Sequence, residues 1–439
     1  MRLQQLWWSG LVAAVLGGLV GVTAVAAGGE QFIPVLVARE GAARFSLIPQ
    51  ANGFIDYVTL LNVRDGGING VTLAWEECET VYDVDRGVEC YERLKGKGPT
   101  GAAAFHAVGT PMAYALTERA AHDKIPLITM GFGRSDASDG RLFPYVFTPP
   151  SNWWSQNTAK LRFIGQRAGG MEQLKGLKIA HVHHDSDYGR ETVLILNKQA
   201  AQYGFAVQHL AVQPPGLDQQ ATWLRVKVAQ PDWVILRTFG VMTPTALKEA
   251  ARVGFPRDKI VGAAGTCSEH DMVPAGEAAR GYICAIYHGT GTHFPLIQDM
   301  LKYVYARGKG LGPESDVGTA QWIRGMLRAL LTAEAIRTAM RAFGNEPLTG
   351  AQVKWGLEHL TLTAASLKAL GAEGLLSPFS LSCRDHEGGA SVWFQQWDGT
   401  QWSVITDLMA PDQALVRPLV EASAAKYAQE KGITPRDCP

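Results

Sequence analysis

Apolar and polar positions along this chain switch repeatedly between a strand period and a helix period. The run FIPVLVA near the start reads as a buried strand. From Phe54 onward, Tyr57, Val58, Leu61 and Asn62 fall at helical spacing and give one face to bury. That helix ends at Gly66-Gly67, which can supply a left-handed cap, and Asn69-Gly70 turns the chain into the strand VTLAW. The pattern spells strand, loop, helix, turn, strand. The loop from Arg39 to Pro49 then sits at the carboxyl end of a strand, where open α/β sheets bind ligands.

The alternation continues with a polar helix (Asp85 to Lys95), strand GAAAFHA, helix Pro111 to Ala121 and strand IPLITM. The loop GFGRSDASDGRLFPYVFTPP leads to a helix from Trp154 to Ala168. A second series follows: KIAHVHH, helix Glu191 to Tyr203, FAVQHLAV, helix Gln219 to Ala229, WVILRT, helix Thr243 to Val253, KIVGAAG and GYICAIY. Strands alternating with helices of this length predict parallel sheets covered on both faces. Val317 to Phe343 reads as a long helix whose stripe of Trp322, Met326, Leu330, Ala333 and Ile336 is core packing. After Leu376-Ser377-Pro378-Phe379 the pattern shortens to a β-hairpin, ASVWFQQWDGTQWSVITDL, turning at Asp398-Gly399.

The ends change the picture. Arg2, the apolar run Leu11 to Val25 and the A-x-A site at Ala24-Val25-Ala26 predict a cleaved secretory signal peptide over 1–27. No cysteine follows that run, which argues against a lipid anchor, and the expected location is the periplasm. The remaining length is too great for one core, so two lobes are expected. Their boundaries are placed at 28–148 with 292–376, and at 149–291 with 377–412, followed by a tail over 413–439. The 41 basic and 41 acidic residues cancel and form no basic stripe, which excludes nucleic acid and anionic membrane as partners. The six cysteines have no metal-ligand spacing, so in an oxidising compartment they point to disulfides. Cys78 with Cys90 is the pairing put forward. Cys267 with Cys284 and Cys383 with Cys438 are compatible with it among the fifteen possibilities.

No catalytic constellation is present: there is no G-x-S-x-G, no Walker sequence and no H-E-x-x-H. His181, His183 and His184 lack a completing carboxylate or cysteine, so no metal is expected, and no cofactor motif is found. A hydrolase would have to rest on Ser46 with His106 or His184.

The order strand-loop-helix, LNVRDGGING, K-IPLIT, HDSDYGRE, then DHEGG and the DGTQW hairpin resembles the type I periplasmic binding proteins. More narrowly, it is similar to the branched-chain amino acid and amide branch that serves ABC importers. Asn62 with Gly66 to Gly70, and Asp185-x-x-Tyr188-Gly189, are the most specific pieces. The resemblance implies two doubly wound parallel-sheet lobes joined by a three-strand hinge, with ligand in the cleft between them. It implies an exported monomer that binds a small molecule and partners an ABC permease in the inner membrane. A periplasmic sensor that presents its closed form to a receptor would use the same cleft.

Carried over by position, the resemblance places pocket residues at Phe45 or Ser46, at His106 to Thr110, and at Met130, Gly131 and onward to Arg134. From the second lobe it places them at Asp185, Tyr188, Thr238, Phe239 and Thr266. Amino acid binders of the family set an acid against the ligand ammonium, but here Ala264-Gly265-Thr266 stands at that place and no carboxylate follows until Glu269. A buried ammonium without its partner loses about 3–5 kcal/mol. Arg44, Arg134 and Arg237 lie in the same loops, and a guanidinium suits a carboxylate held bidentately. Each could instead pair with a neighbour such as Glu40, Asp136 or Asp139. Phe45, Phe105, Phe132, Trp153, Trp154 and Phe239 could line an apolar pocket. The expected ligand is a carboxylate or amide-like compound, possibly aromatic, with a branched-chain amino acid as the alternative.

Overall fold

The computed structural model describes residues 29–389 and 391–438; the expected signal peptide lies outside the described residues. The first lobe is built on β1 (Glu30–Val37) paired in parallel with β2 (Thr72–Glu79), and on the parallel set β3 (Phe105–His106), β4 (Leu127–Ile128) and β5 (Val146–Phe147). The Ala103 amide donates to Phe32 O and joins the two sets side by side. The second lobe holds a seven-stranded sheet. Its parallel strands are β6 (Lys178–His184), β7 (Ala206–Val212), β8 (Trp233–Arg237), β9 (Ile260–Gly262) and β10 (Ile283–Ile286). A short ladder of β11 (Thr361–Leu362) with β12 (Phe379–Ser380) precedes the hairpin β13 (Trp393–Trp397) and β14 (Trp402–Val404), which adds to β10 antiparallel.

The helices are α1 (Arg44–Asp65), α2 (Val84–Leu94), α3 (Thr110–Asp123), α4 (Trp153–Ala168), α5 (Asp187–Arg190), α6 (Val193–Tyr203) and α7 (Gln220–Ala229). They continue with α8 (Met242–Arg252), α9 (Glu269–Ala275), α10 (Pro295–Tyr303), α11 (Ala320–Phe343), α12 (Gly350–Glu358), α13 (Ala364–Ala369) and α14 (Gln413–Lys431). Two expectations shift. The segment read as a loop up to Pro49 is helical from Arg44, because Pro49 is tolerated inside α1 at the loss of one helical hydrogen bond. The helix expected over 191–203 begins at Val193 as α6, and a separate one-turn helix, α5, precedes it over Asp187–Arg190.

The Asn62 motif acts on the edge of the first sheet. The Asn62 Nδ2 donates to Leu73 O at 2.7 Å and its Oδ1 accepts from Leu73 N at 2.9 Å, so the side chain pairs with edge strand β2 as another strand would. Gly66 then caps α1 in the left-handed region, φ 71°. Helix α1 is buried on nearly every side because α11 lies against it, backbone to backbone. A Cβ at Gly53 would stand 2.0 Å from Trp322 O, and one at Gly325 would stand 1.9 Å from Gln50 O.

The hinge connections are tied to each other. Asn152 N and Nδ2 donate to Glu387 at 2.9 and 3.0 Å, and His386 stacks on Phe147 at 3.9 Å, which accounts for the DHEGG segment. All three cysteine pairs are joined: Cys78–Cys90, Cys267–Cys284 and Cys383–Cys438. The tail is ordered as α14. Its first half seats Val416 and Val420 on Trp154 and Ile195, and its second half reaches the first lobe through Ser423–Asp136 at 2.9 Å and Lys431–Glu118 at 2.7 Å. Among the described residues no helix is long and apolar enough to cross a membrane.

Candidate functional site

Where the carboxyl ends of the two sheets meet, a pocket is lined from the first lobe by Leu47, Gln50, Tyr82, Val108, Gly109, Thr110, Phe132 and Arg324. The second lobe supplies Trp153, Tyr188, Phe239 and Gly265. Its volume is ≈ 30 Å³, room for about two waters. Aromatic rings meet across the gap: Tyr82 lies 5.6 Å from Phe239, and Trp153 lies 5.4 Å from Tyr188.

Tyr82 is set in place by its backbone. Val81 and Tyr82 both have positive φ, 53° and 62°, a conformation costing about 1–3 kcal/mol per residue that persists only when its surroundings fix it. Those surroundings are Thr80, whose Oγ1 accepts from Tyr82 N at 3.2 Å, and the Cys78–Cys90 bond, which fastens the end of β2 to α2. Gly109 is required opposite, since a Cβ there would come 2.7 Å from the Tyr82 ring.

Arg324 is the one charged side chain lining this pocket among the described residues. It is 4% exposed, its Nη2 donates to Met130 O at 3.3 Å, and its Nε has no partner. Four residues on, Arg328 is 6% exposed; its Nη2 donates to Ala107 O at 2.7 Å. Burial, then the neighbouring Arg324 charge, brings the Arg328 pKa down to about 9. The helix read purely as core packing thus carries two cations into the cleft wall.

Of the expected site residues, Thr110, Tyr188 and Phe239 line the pocket. The Thr110 Oγ1 accepts from Gly133 N and Trp153 Nε1, both at 3.3 Å, and the Tyr188 hydroxyl donates to Thr238 O at 3.1 Å. Met130 and Gly131 stand just behind it, their carbonyls accepting from Tyr287 Oη and Gln156 Nε2, each at 2.8 Å. Thr238 and Thr266 are buried with their hydroxyls turned to Thr243 and to Ala263 O. His106 is buried beside Thr332 at 2.8 Å, with its pKa held low by burial and by Arg328.

Others lie elsewhere. Arg44 and Phe45 are exposed at the start of α1 and stack on each other at 4.6 Å. Arg134 pairs with Asp136 at 2.8 Å under the rings of Tyr114, Phe143 and Tyr427, outside the pocket. Trp154 faces α14 and donates to Glu191 O at 2.8 Å, because the register of α4 turns Trp153 to the cleft instead. Asp185 pairs with Arg190 at the surface. Arg237 is fully buried behind the pocket, 4.0 Å from the Trp153 ring and 4.4 Å from the Tyr188 ring, and burial lowers its pKa to about 10.

Gly265 lines the pocket and no carboxylate joins it there. The acids that follow, on α9, turn to the first lobe. Glu269 accepts from Ala320 N at 3.0 Å, His270 Nε2 meets Asp316 at 2.9 Å, and the Ser46 hydroxyl reaches Asp271 at 3.4 Å. Burial pushes the Asp271 carboxyl up to about 8 and the Glu269 carboxyl up to about 7. Ser46 therefore faces Asp271 while His106 faces Thr332 and Arg328, and no nucleophile–base pair forms between them.

This fold and interlobe pocket define a ligand-capturing protein, and the comparisons agree. The sequence profile described as periplasmic binding protein matches residues 30–401, so the chain belongs to the periplasmic binding protein family. It is a substrate-binding protein of the ABC transporter type and not an enzyme. A solved structure from the Pseudomonas fluorescens group, described as an ABC transporter permease, is 44% identical, with TM-score 0.88 over 94% of this chain and 100% of that one. A branched-chain amino acid ABC transporter protein from Thermus thermophilus with bound valine is 21% identical, with TM-score 0.75 over 89% of this chain and 99% of that one. A solute-binding protein from R. palustris in complex with benzoate is 17% identical, with TM-score 0.68 over 87% and 97%. No curated protein sequence matches.

Proposed function

We propose that this protein is exported through its signal peptide, captures a small organic carboxylate with an apolar or aromatic body, and delivers it as a closed monomer to a membrane permease. The carrying observation is Arg324, a buried guanidinium with an unpartnered Nε in a pocket whose other walls are apolar, aromatic and neutral. A carboxylate supplies the missing charge and geometry. The amides at the start of α3, which Gly109 leaves without a side-chain cap, favour the same charge. The ring of Tyr82, Phe132, Trp153, Tyr188 and Phe239 suits a flat apolar body. A free ammonium finds no acid on these walls, which sets the site apart from a zwitterion binder.

The lobes close because the ligand touches both of them and gains contacts only when they are shut. The division into lobes at 148/149, 291/292 and 376/377 belongs to this reading. Titration calorimetry of the mature protein against benzoate, short-chain acids, leucine and valine is the test. Acids are expected to bind and the amino acids are not; tight leucine binding with no acid binding overturns the proposal.

A further inference from the structure

We propose that helix α9 is a proton-operated latch: protonated, Asp271, Glu269 and His270 fasten the second lobe to the first, and loss of their protons lets the lobes part. This rests on the lobe division given above and adds a regulator to it. The three residues are consecutive, and each reaches a different part of the first lobe. Glu269 Oε2 accepts from Ala320 N at 3.0 Å and so caps α11, whose own N-cap residue, Thr319, offers no side-chain cap. His270 Nε2 meets Asp316 Oδ1 at 2.9 Å in the turn before α11. Asp271 meets the Ser46 hydroxyl of α1 at 3.4 Å. The Cys267–Cys284 bond ties the start of α9 to β10, so the helix travels with the second lobe. Val273 in the same helix is 72% exposed, so water reaches α9 once the lobes part.

Neither carboxyl is paired with a lysine or arginine among the described residues. Asp271 faces Ser46 from α1, His270 and Glu269 beside it, and the buried phenols of Tyr188 and Tyr282 from its own lobe. Glu269 faces the Ala320 amide, His270 and Asp316, and His270 faces Asp316, Glu269 and Asp271. In this arrangement burial pushes Asp271 up to about 8 and Glu269 up to about 7, and the hydrogen bond to Asp316 raises His270. On a wet, opened face such carboxyls titrate near pH 4 and such an imidazole near pH 6.5. All three shifts have one sign: the shut form holds protons that the parted form gives up. Its advantage is full below the ordinary values and is lost as pH rises through about 7 to 8. One such proton changes the ratio of shut to parted protein about tenfold per pH unit. A ligand that needs the shut form inherits that slope and binds more tightly as pH falls.

Small-angle X-ray scattering of the ligand-free mature protein at pH 5, 6.5, 8 and 9, at constant ionic strength, reports the separation of the lobes. The radius of gyration is expected to grow between pH 6.5 and 9 with the circular dichroism unchanged, as the ratio of shut to parted molecules falls about 100-fold. The double variant Asp271→Asn with Glu269→Gln carries the neutral forms at every pH and is expected to stay compact at pH 9. Should it not fold, Asp271→Asn alone takes its place. A size independent of pH overturns the proposal, and so does an expansion that the variant shares. No ligand enters this measurement, so either result leaves the carboxylate reading to the calorimetry above. A size that also stays fixed when a ligand is bound overturns the lobe division itself.

Discussion

Replacing Asp271 with asparagine is expected to make this protein more stable at neutral pH. The carboxyl is 2% exposed, its one side-chain hydrogen-bond partner among the described residues is the Ser46 hydroxyl at 3.4 Å, and burial holds its pKa up at about 8. In the unfolded chain the proton leaves near pH 4. Between those values the folded protein holds a proton that the unfolded chain has released. Stability from this group is therefore intact below about pH 4, falls as pH rises, and levels off above about pH 8. Integrated from pH 5 to pH 8, the loss is about 3–4 kcal/mol. The asparagine variant keeps a neutral side chain beside Ser46 and escapes that slope. Glu269 and His270 interact electrostatically with Asp271, so the difference between the two proteins reads Asp271 together with its coupling to these neighbours. Urea unfolding of both at pH 5, 6.5 and 8 reads it directly. A difference that does not widen with pH, or a variant less stable than the wild type at pH 8, would refute the reasoning.

Gly325→Ala drives a methyl into Gln50 O and is expected to lower stability by about 2–3 kcal/mol, seen as a fall in melting temperature. Asn62→Ala leaves both Leu73 backbone groups on edge strand β2 without their partner, an expected loss of about 2 kcal/mol by urea unfolding. Replacing Cys78 and Cys90 together with serine frees the end of β2 and is expected to cost about 3 kcal/mol. The same variant should weaken ligand binding in calorimetry, because the strained Val81-Tyr82 turn loses its anchor.

The architecture was legible because strand and helix periods alternate cleanly, and because Gly66-Gly67 and Asp398-Gly399 mark turns that nothing else would use. The site was legible only in part. Loops after strands announce themselves, so the neighbourhoods of Thr110, Phe132, Tyr188 and Phe239 could be named. Which of two adjacent tryptophans faces the cleft depends on where α4 starts within one residue, and periodicity does not carry that precision. Nothing in the spacing of Arg44 and Arg134 separates them from any other loop arginine; their partners, Phe45 and Asp136, do. Arg324 and Arg328 lie on the face of α11 opposite the Trp322–Ile336 stripe, where helical periodicity predicts solvent. A buried arginine there has the same spacing as one reaching out to solvent, and only the helix packed against it tells them apart.

Helix α14 gives the two lobes a mechanical circuit. The hinge connections carry the chain from one lobe to the other, and this helix closes the circuit from outside, with Val416 and Val420 seated on one lobe and Ser423 and Lys431 on the other. When the lobes part, the helix must slide on one seat or leave it. Contacts given up on parting are regained on shutting, so α14 adds to the cohesion of the shut arrangement without touching the pocket.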